Sequence, residues 1–212
     1  MNAKEAEAYI YASYLKAAPL QDYAAPDAEK RRPDLSAPIL RVLSGTPATV
    51  ITGSKGKGST ACMLSALLGT QLRVGMMTSP HLQDFCERFR VNGRMISPEA
   101  LAACVEAIKP QFDEIEKGLA PDVCISPMGI QAAAALTWFR REGTQFNVLE
   151  CGKGARYDDV PRAAHRFAVI GPVFAEHTRE LGPTPEAIAA DKAYVMHDCP
   201  EAFMAAIGRA HV

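Results

Sequence analysis

The 212-residue sequence is sparing in several respects, and each shortage excludes something. It has one tryptophan, and aromatic residues make up only 7% of it. Neither charge sign dominates: 23 Lys and Arg against 24 Asp and Glu leave a net charge of −1, so neither a nucleic-acid surface nor an acidic tail is expected. No stretch reaches 18 apolar residues, so no membrane-spanning helix is expected. The opening residues, MNAKEAEAYIYASYL, lack the basic start, apolar run and cleavage site of a signal peptide. Cys62, Cys86, Cys104, Cys124, Cys151 and Cys199 show no paired metal-ligand spacing. They are expected to be reduced, mostly buried thiols of a cytoplasmic protein. There is no internal repeat and no low-complexity tract.

What remains is ordinary globular material, 48% apolar and 22% charged, long enough for one domain that buries roughly 70% of its unfolded surface. Helical spacing is read over 3–17, over 38–44 and from Ser59 to Thr70, where Met63, Leu64, Leu67 and Leu68 share one face. A helix beginning at Pro98 has Ser97 as its N-cap, an Ala-rich helix covers 127–142, and a last clear one has Thr184 and Pro185 at its start. Short β-rich runs predict strands at 48–52, 73–79, 121–126, 145–151 and 166–171, with a hairpin about Asn92-Gly93. Residues 18–37, rich in Pro, Asp and Lys/Arg, read as a mobile loop. Strands alternating with helices predict an α/β fold with a mostly parallel sheet flanked by helices. Residues 1–47 are read as an N-terminal helix and lead-in, and residues 48–212 as one nucleotide-binding domain of P-loop type.

The stretch ITGSKGKGST, residues 51–60, carries that last reading. It follows a β-branched strand and precedes a helix. A helix start exposes unpaired N–H groups and a partial positive charge, glycines let the backbone wrap an anion, and lysine adds a point charge. Gly53, Ser54, Lys55, Gly56, Lys57, Gly58, Ser59 and Thr60 therefore read as a phosphate cradle. Lys57 meets the β/γ phosphates, and Ser59 or Thr60 offers a hydroxyl to Mg²⁺. A glycine separates Gly56-Lys57 from the serine, so the loop is a variant of the common pattern. The bland alternative is a flexible turn with solvated lysines.

This variant resembles the Mur ligase superfamily, and folylpolyglutamate synthases in particular, whose loop runs G-T-N-G-K-G-S. Three further segments resemble that family in order: VGMMTSPHLQDFCERFRVNGRMIS, NVLECGKGARYDDV and EHTRELGPTPEAIAADKA. The resemblance implies an ATP-dependent, ADP-forming ligase in which a carboxylate is phosphorylated and an amino acid's amine attacks the acyl phosphate. It implies Mg²⁺ at Ser59, Ser79 and Glu150, a second Mg²⁺ at His177 next to the transferred phosphate, catalytic roles for Lys57, Glu150, His177 and Lys192, and a carbamylated Lys192. The alternatives are an N-cap or simple turn at Ser79, a structural His177 and a solvated Lys192. The implied ligands are ATP, a small carboxylic acid and an amino acid, with no nucleic acid and no membrane.

Departures from the family pattern also stand out. Lys55 replaces Asn, Glu176 replaces Asp before His177, A-T-N does not follow Asp158, and Met128-Gly129 stands where synthases carry Phe-Glu. That last pair puts a pterin-type pocket in doubt. The chain ends about 20 residues after Lys192, where the family runs on into a Rossmann-like domain. The expected function is therefore a ligase module: either a separate chain completes its site, or it is an excised or diverged remnant. The alternative is an ATP-binding, non-catalytic or regulatory subunit that needs a partner chain. A P-loop kinase would need a lid and an acceptor site that the sequence does not locate. Of the remaining candidates, Cys151 and Trp138 read as core, Asp113, Glu114 and Glu116 as a solvated face, and Arg31 and Arg32 as a mobile polar loop or a guide for anionic substrate. His81 is a candidate contact for nucleotide or substrate.

Overall fold

The β-branched stretch Ala48–Thr52 forms β1, buried at all five positions. The computed structural model describes residues 1–22 and 24–205. In chain order the elements are α1 (Ala3–Ala17), α2 (Asp27–Lys30), α3 (Ala37–Leu43), β1, α4 (Lys57–Leu68), β2 (Val74–Met77), β3 (Phe89–Val91), β4 (Arg94–Met95), α5 (Pro98–Lys117), α6 (Pro127–Arg141), β5 (Phe146–Glu150), β6 (Phe167–Ile170), α7 (Thr178–Leu181), α8 (Pro185–Lys192) and β7 (Glu201–Met204). The strands of the described residues form one sheet in the order β4-β3-β2-β5-β1-β6-β7. Five run parallel, while β3 and β4 form an antiparallel edge through the hairpin at Asn92 and Gly93. This is the α/β class, with a mostly parallel sheet, that the sequence predicts.

Successive strand residues face opposite sides of the sheet. Val50, Met77 and Leu149 face the larger core, where α1, α3, α5 and α6 stack together with Ile10, Leu40, Phe112 and Phe139. Ile51, Met76 and Val148 face the smaller core under α4. Phe112 and Phe139 are fully buried, and each contributes roughly 2–3 kcal/mol relative to exposure. The sheet is thus sandwiched between two helical layers, and the C-terminal ends of β1, β2, β5 and β6 share one edge. Ligands of open α/β folds bind at such an edge.

The predicted caps are present: Ser97 Oγ accepts from the Ala100 N–H, and Thr184 Oγ1 from the Ala187 N–H. Trp138 and Cys151 are buried, as expected of core residues. Four expectations fail. Residues 121–126 form no strand, because α1 and the turn after it satisfy backbone groups of this segment: Ser13 Oγ accepts from the Ile125 N–H, and Gln21 Nε2 donates to the Asp122 carbonyl. Both sheet positions beside β5 are held by β1 and β2. On α4, Met63 and Leu67 are exposed. The helix meets the sheet through small Ala61 and Ser65, which bring its axis close, with Leu64 and Leu68 at the flanks. The supposed mobile loop 18–37 carries the one-turn α2, whose Asp27 is buried and paired with Arg31 and Lys153. Asp113 and Glu116 do not merely face solvent. They accept from Tyr9 and Ser13, tying α5 to α1. Residues 201–204 form strand β7, paired with β6, and residues 206–212 lie outside the described residues. No helix among the described residues is long and apolar enough to cross a membrane.

Candidate functional site

β1 ends at Thr52, and the chain turns at once into α4. Gly53 has φ +148°, and a Cβ there would lie 3.0 Å from the Gly171 Cα at the end of β6. Gly56 has φ +77° and serves as the N-cap, so the helix starts at Lys57, two residues before the predicted Ser59. The left-handed glycine accounts for the difference by turning the chain straight into the helix. The first intrahelical bond runs from the Thr60 N–H to the Gly56 carbonyl, which leaves the Lys57, Gly58 and Ser59 amides facing outward without helical acceptors. Ser54 does not face this opening. It is buried, its hydroxyl donates to the Phe174 carbonyl and accepts from the Phe174 N–H, and its own N–H donates to the Pro172 carbonyl. Lys55 is exposed, with its ammonium 5.5 Å from the Phe174 ring centre. Lys57 folds back, Nζ donating to the Gly53 carbonyl at 3.0 Å.

Glu150 ends β5 beside this loop. It is only 3% exposed, and its Oε2 accepts from the Ser79 N–H at 3.0 Å. A Cβ at Gly58 would sit 3.5 Å from the same oxygen, which places the carboxylate against the first turn of α4. Burial pushes its pKa up, opposed by the Ser79 hydrogen bond and by the Lys57 charge. A buried carboxylate with one hydrogen bond and no ion pair among the described residues has an unmet need for positive charge. Its hard oxygens, with a serine hydroxyl nearby, are the donor type that suits Mg²⁺. Among the described residues no three His, Cys, Asp or Glu side chains gather as a metal cluster. Ser59 and His177 are both exposed. His177, with φ +46°, is the N-cap of α7, and among the described residues no hydrogen bond joins its side chain to Glu150 or Ser79.

Lys192 is not a solvated helix residue. It is fully buried, because α8 points it into the sheet edge. Nζ donates to the Lys153 carbonyl at 2.8 Å and the Gly53 carbonyl at 3.4 Å, and pairs with Glu176 at 3.0 Å. The extra methylene of Glu176 at this position is thus used in an ion pair. Two lysines, Lys57 and Lys192, converge on one loop carbonyl. Cys151, directly after Glu150, is also fully buried, and burial pushes its thiol pKa well up, as befits a core residue rather than a nucleophile.

Sequence reasoning missed a second feature, a cavity of about 290 Å³ between α1, the α2 segment and the start of α6. Tyr14, Arg31, Arg88, Met128, Gln131 and Lys153 are among its walls. Asp158 and Asp159 are buried behind it. Asp159 Oδ1 accepts from Ser36 Oγ, and a Cβ at Gly129 would come within 2.6 Å of the same oxygen. That contact accounts for the glycine after Met128. Burial raises the pKa of Asp158, and raises that of Asp159 to about 7. The only sequence signals for this pocket were Arg31 and Met128-Gly129; its walls come from segments far apart in the chain.

No protein-family model matches the chain. Curated relatives do. A probable bifunctional folylpolyglutamate synthase/dihydropteroate synthase of Halobacterium salinarum is 40% identical over 147 residues, covering 68% of this chain and 18% of its own length. A dihydrofolate synthase/folylpolyglutamate synthase of Mycobacterium tuberculosis is 31% identical over 172 residues, covering 77% of this chain and 35% of its own length. Among solved structures, E. coli FolC in complex with DHPP and ADP superposes with a TM-score of 0.74 at 27% identity, over 92% of this chain and 44% of that one. The chain therefore spans less than half the length of the proteins it matches.

Proposed function

The chain is a homologue of the folylpolyglutamate and dihydrofolate synthases of the Mur ligase superfamily, over their N-terminal nucleotide-binding region, and from that premise we propose that it is the ATP-using module of a carboxylate–amine ligase. In this reading residues 1–47 are the lead-in and residues 48–212 the nucleotide-binding domain, and the setting is cytoplasmic. The backbone of Gly53–Gly58 and the Lys57 ammonium hold the triphosphate, with Ser54 shaping the loop from behind and Lys55, Ser59 and Thr60 at its rim. Ser59, Ser79, Glu150 and His177 would hold Mg²⁺, which neutralises charge on the phosphates when bound. Lys192 as an ammonium fixes the loop from below; carbamylated, it would help position the metal or the acyl phosphate. A carboxylate oxygen of the acid substrate attacks the γ-phosphorus and ADP leaves. The amine of an amino acid then attacks the acyl carbon, releasing phosphate and a proton. Phosphoryl transfer of this kind needs alignment and charge stabilisation more than covalent help from the protein.

The observation that carries this reading is the buried, singly hydrogen-bonded Glu150 held against the first turn of α4 and the Ser79 amide. The test is to incubate the chain with Mg·ATP, glutamate and a panel of acids, and to follow ADP. Acid-dependent ADP release that is lost in Lys57→Ala supports it, whereas release that persists in the variant refutes it. One observation favours a second reading, an ATP-binding subunit that needs a partner chain for catalysis: Ser59 and His177 stand exposed and meet no other site side chain. Tight Mg·ATP binding without turnover under any of these conditions selects that reading.

A further inference from the structure

At the opposite ends of the strands from the phosphate loop, Arg73 leads into β2, Val91 ends β3, and Arg94 and Met95 form β4. Together with Trp138 in the last turns of α6 and its C-cap Glu142, they line a cavity of about 520 Å³ beside the start of α5. That size is usual for a small-molecule site. Trp138, the single tryptophan of the chain, is 7% exposed, and its remaining exposed surface opens on this cavity. Its indole N–H makes no hydrogen bond to any described residue, whereas the N–H of a buried tryptophan ordinarily finds a partner. Asn92, at the hairpin, spends its Oδ1 on the Val74 N–H at 2.7 Å. Its Nδ2 is left without an acceptor among the described residues. Ser97 is already committed, its hydroxyl oxygen accepting from the Ala100 N–H as the cap of α5.

Charge sets the kind of ligand. Glu142 is the one carboxylate among the described residues that line the cavity, and it pairs with Arg73. Arg94 is exposed and makes no ion pair or side-chain hydrogen bond with any described residue. The lining thus carries one uncompensated positive charge and three donors without acceptors, on Arg94, Asn92 and Trp138. Such a wall calls for a ligand rich in acceptors and negatively charged. Met95, 50% exposed, and Val91 add apolar surface beside the indole, which a flat apolar body would cover. We propose that this cavity binds a small organic anion, its carboxylate or phosphate head held by Arg94 and the Trp138 N–H and its planar body lying against Trp138 and Met95. The site is separate from the phosphate loop, being at the other ends of the strands, and it stands whether or not the ligase reading does.

The single indole makes the test direct, because its side-chain N–H gives one resonance in proton–nitrogen NMR spectra of the full chain. Benzoate and phenyl phosphate should each move that resonance downfield in a saturable way. Benzamide, of the same size as benzoate but uncharged, should bind about tenfold more weakly, as expected when a charge-assisted hydrogen bond is lost. Arg94→Gln, at an exposed position, should lower benzoate affinity by about tenfold, and Arg94→Lys should keep part of it. A response to only one of the two anions supports the site and fixes its head group. An indole resonance that neither anion moves overturns the proposal. So does equal affinity for benzoate and benzamide, or unchanged affinity in folded Arg94→Gln. Magnesium-nucleotide binding, followed by calorimetry, should be the same in Arg94→Gln as in wild type, so failure at the phosphate loop is distinguishable from failure here.

Discussion

The phosphate-loop end of the sheet and the basic cavity beside it lie close together, yet they are built in opposite ways. The loop is local: β1, the glycines, Lys57 and the first turn of α4 occupy one short run, and distant residues enter only as props, such as Lys192 and Gly171. The cavity takes its walls from α1, the α2 segment, the 3-10 turn at Arg88, the start of α6 and Lys153. In the loop, carbonyls and lysines satisfy each other around Gly53. In the cavity, Arg31 and Lys153 share one buried carboxylate, that of Asp27. A region that offers amides to an anion can be specified by backbone conformation. A region that selects one ligand by shape and charge needs side chains brought from several places.

Perturbing each region in turn sharpens that contrast. The largest effect is expected from Lys57→Ala, which should lower ATP turnover by about 10²–10³-fold while leaving the thermal melt within a few degrees; a small loss would mean that the loop amides suffice. Glu150→Gln should weaken the Mg²⁺ dependence of turnover by about 10–100-fold. It should not lower stability, since it removes a charge that burial disfavours. Lys192→Met strands the Glu176 carboxylate and the Lys153 carbonyl, and should cost roughly 3–5 kcal/mol, on the order of 10 °C in melting temperature. Asp159 probes the cavity side. Its folded pKa of about 7 lies above the 3.8 of an ordinary aspartate, so between those values the folded state holds a proton that the unfolded state has released. Stability should therefore fall as pH rises from about 4 to about 7 and then level off. Asp159→Asn should flatten that slope and raise the melting temperature at pH 8 by several degrees. The smallest effect is expected from Met63→Lys on the outer face of α4, within about 0.5 kcal/mol by denaturant titration. A larger loss would mean that this face is covered in solution.

Legibility followed the same division. The glycine turn from β1 into α4, the capped starts of α5 and α8 and the hairpin at Asn92-Gly93 could be read because each depends on neighbours in sequence. Residues 121–126 looked like a strand because Val123, Cys124 and Ile125 suit one. Their fate was set by Ser13 and Gln21, more than 100 positions away. The apolar stripe on α4 was real as a pattern, but two small residues, Ala61 and Ser65, decided which side meets the sheet. Lys192 gave no hint of burial, because helical spacing says nothing about a polar pocket formed by Gly53, Lys153 and Glu176. Arg94 lay within a stretch already noticed for its resemblance, but nothing in the sequence says that no carboxylate among the described residues pairs with it.

The doubly held carbonyl of Gly53 has a consequence for motion. If the proposed function holds and Lys57 leaves the Gly53 carbonyl for a bound polyanion, the oxygen is not orphaned, because the Lys192 ammonium lies 3.4 Å from it. One lysine is thus free to travel while the other stands guard.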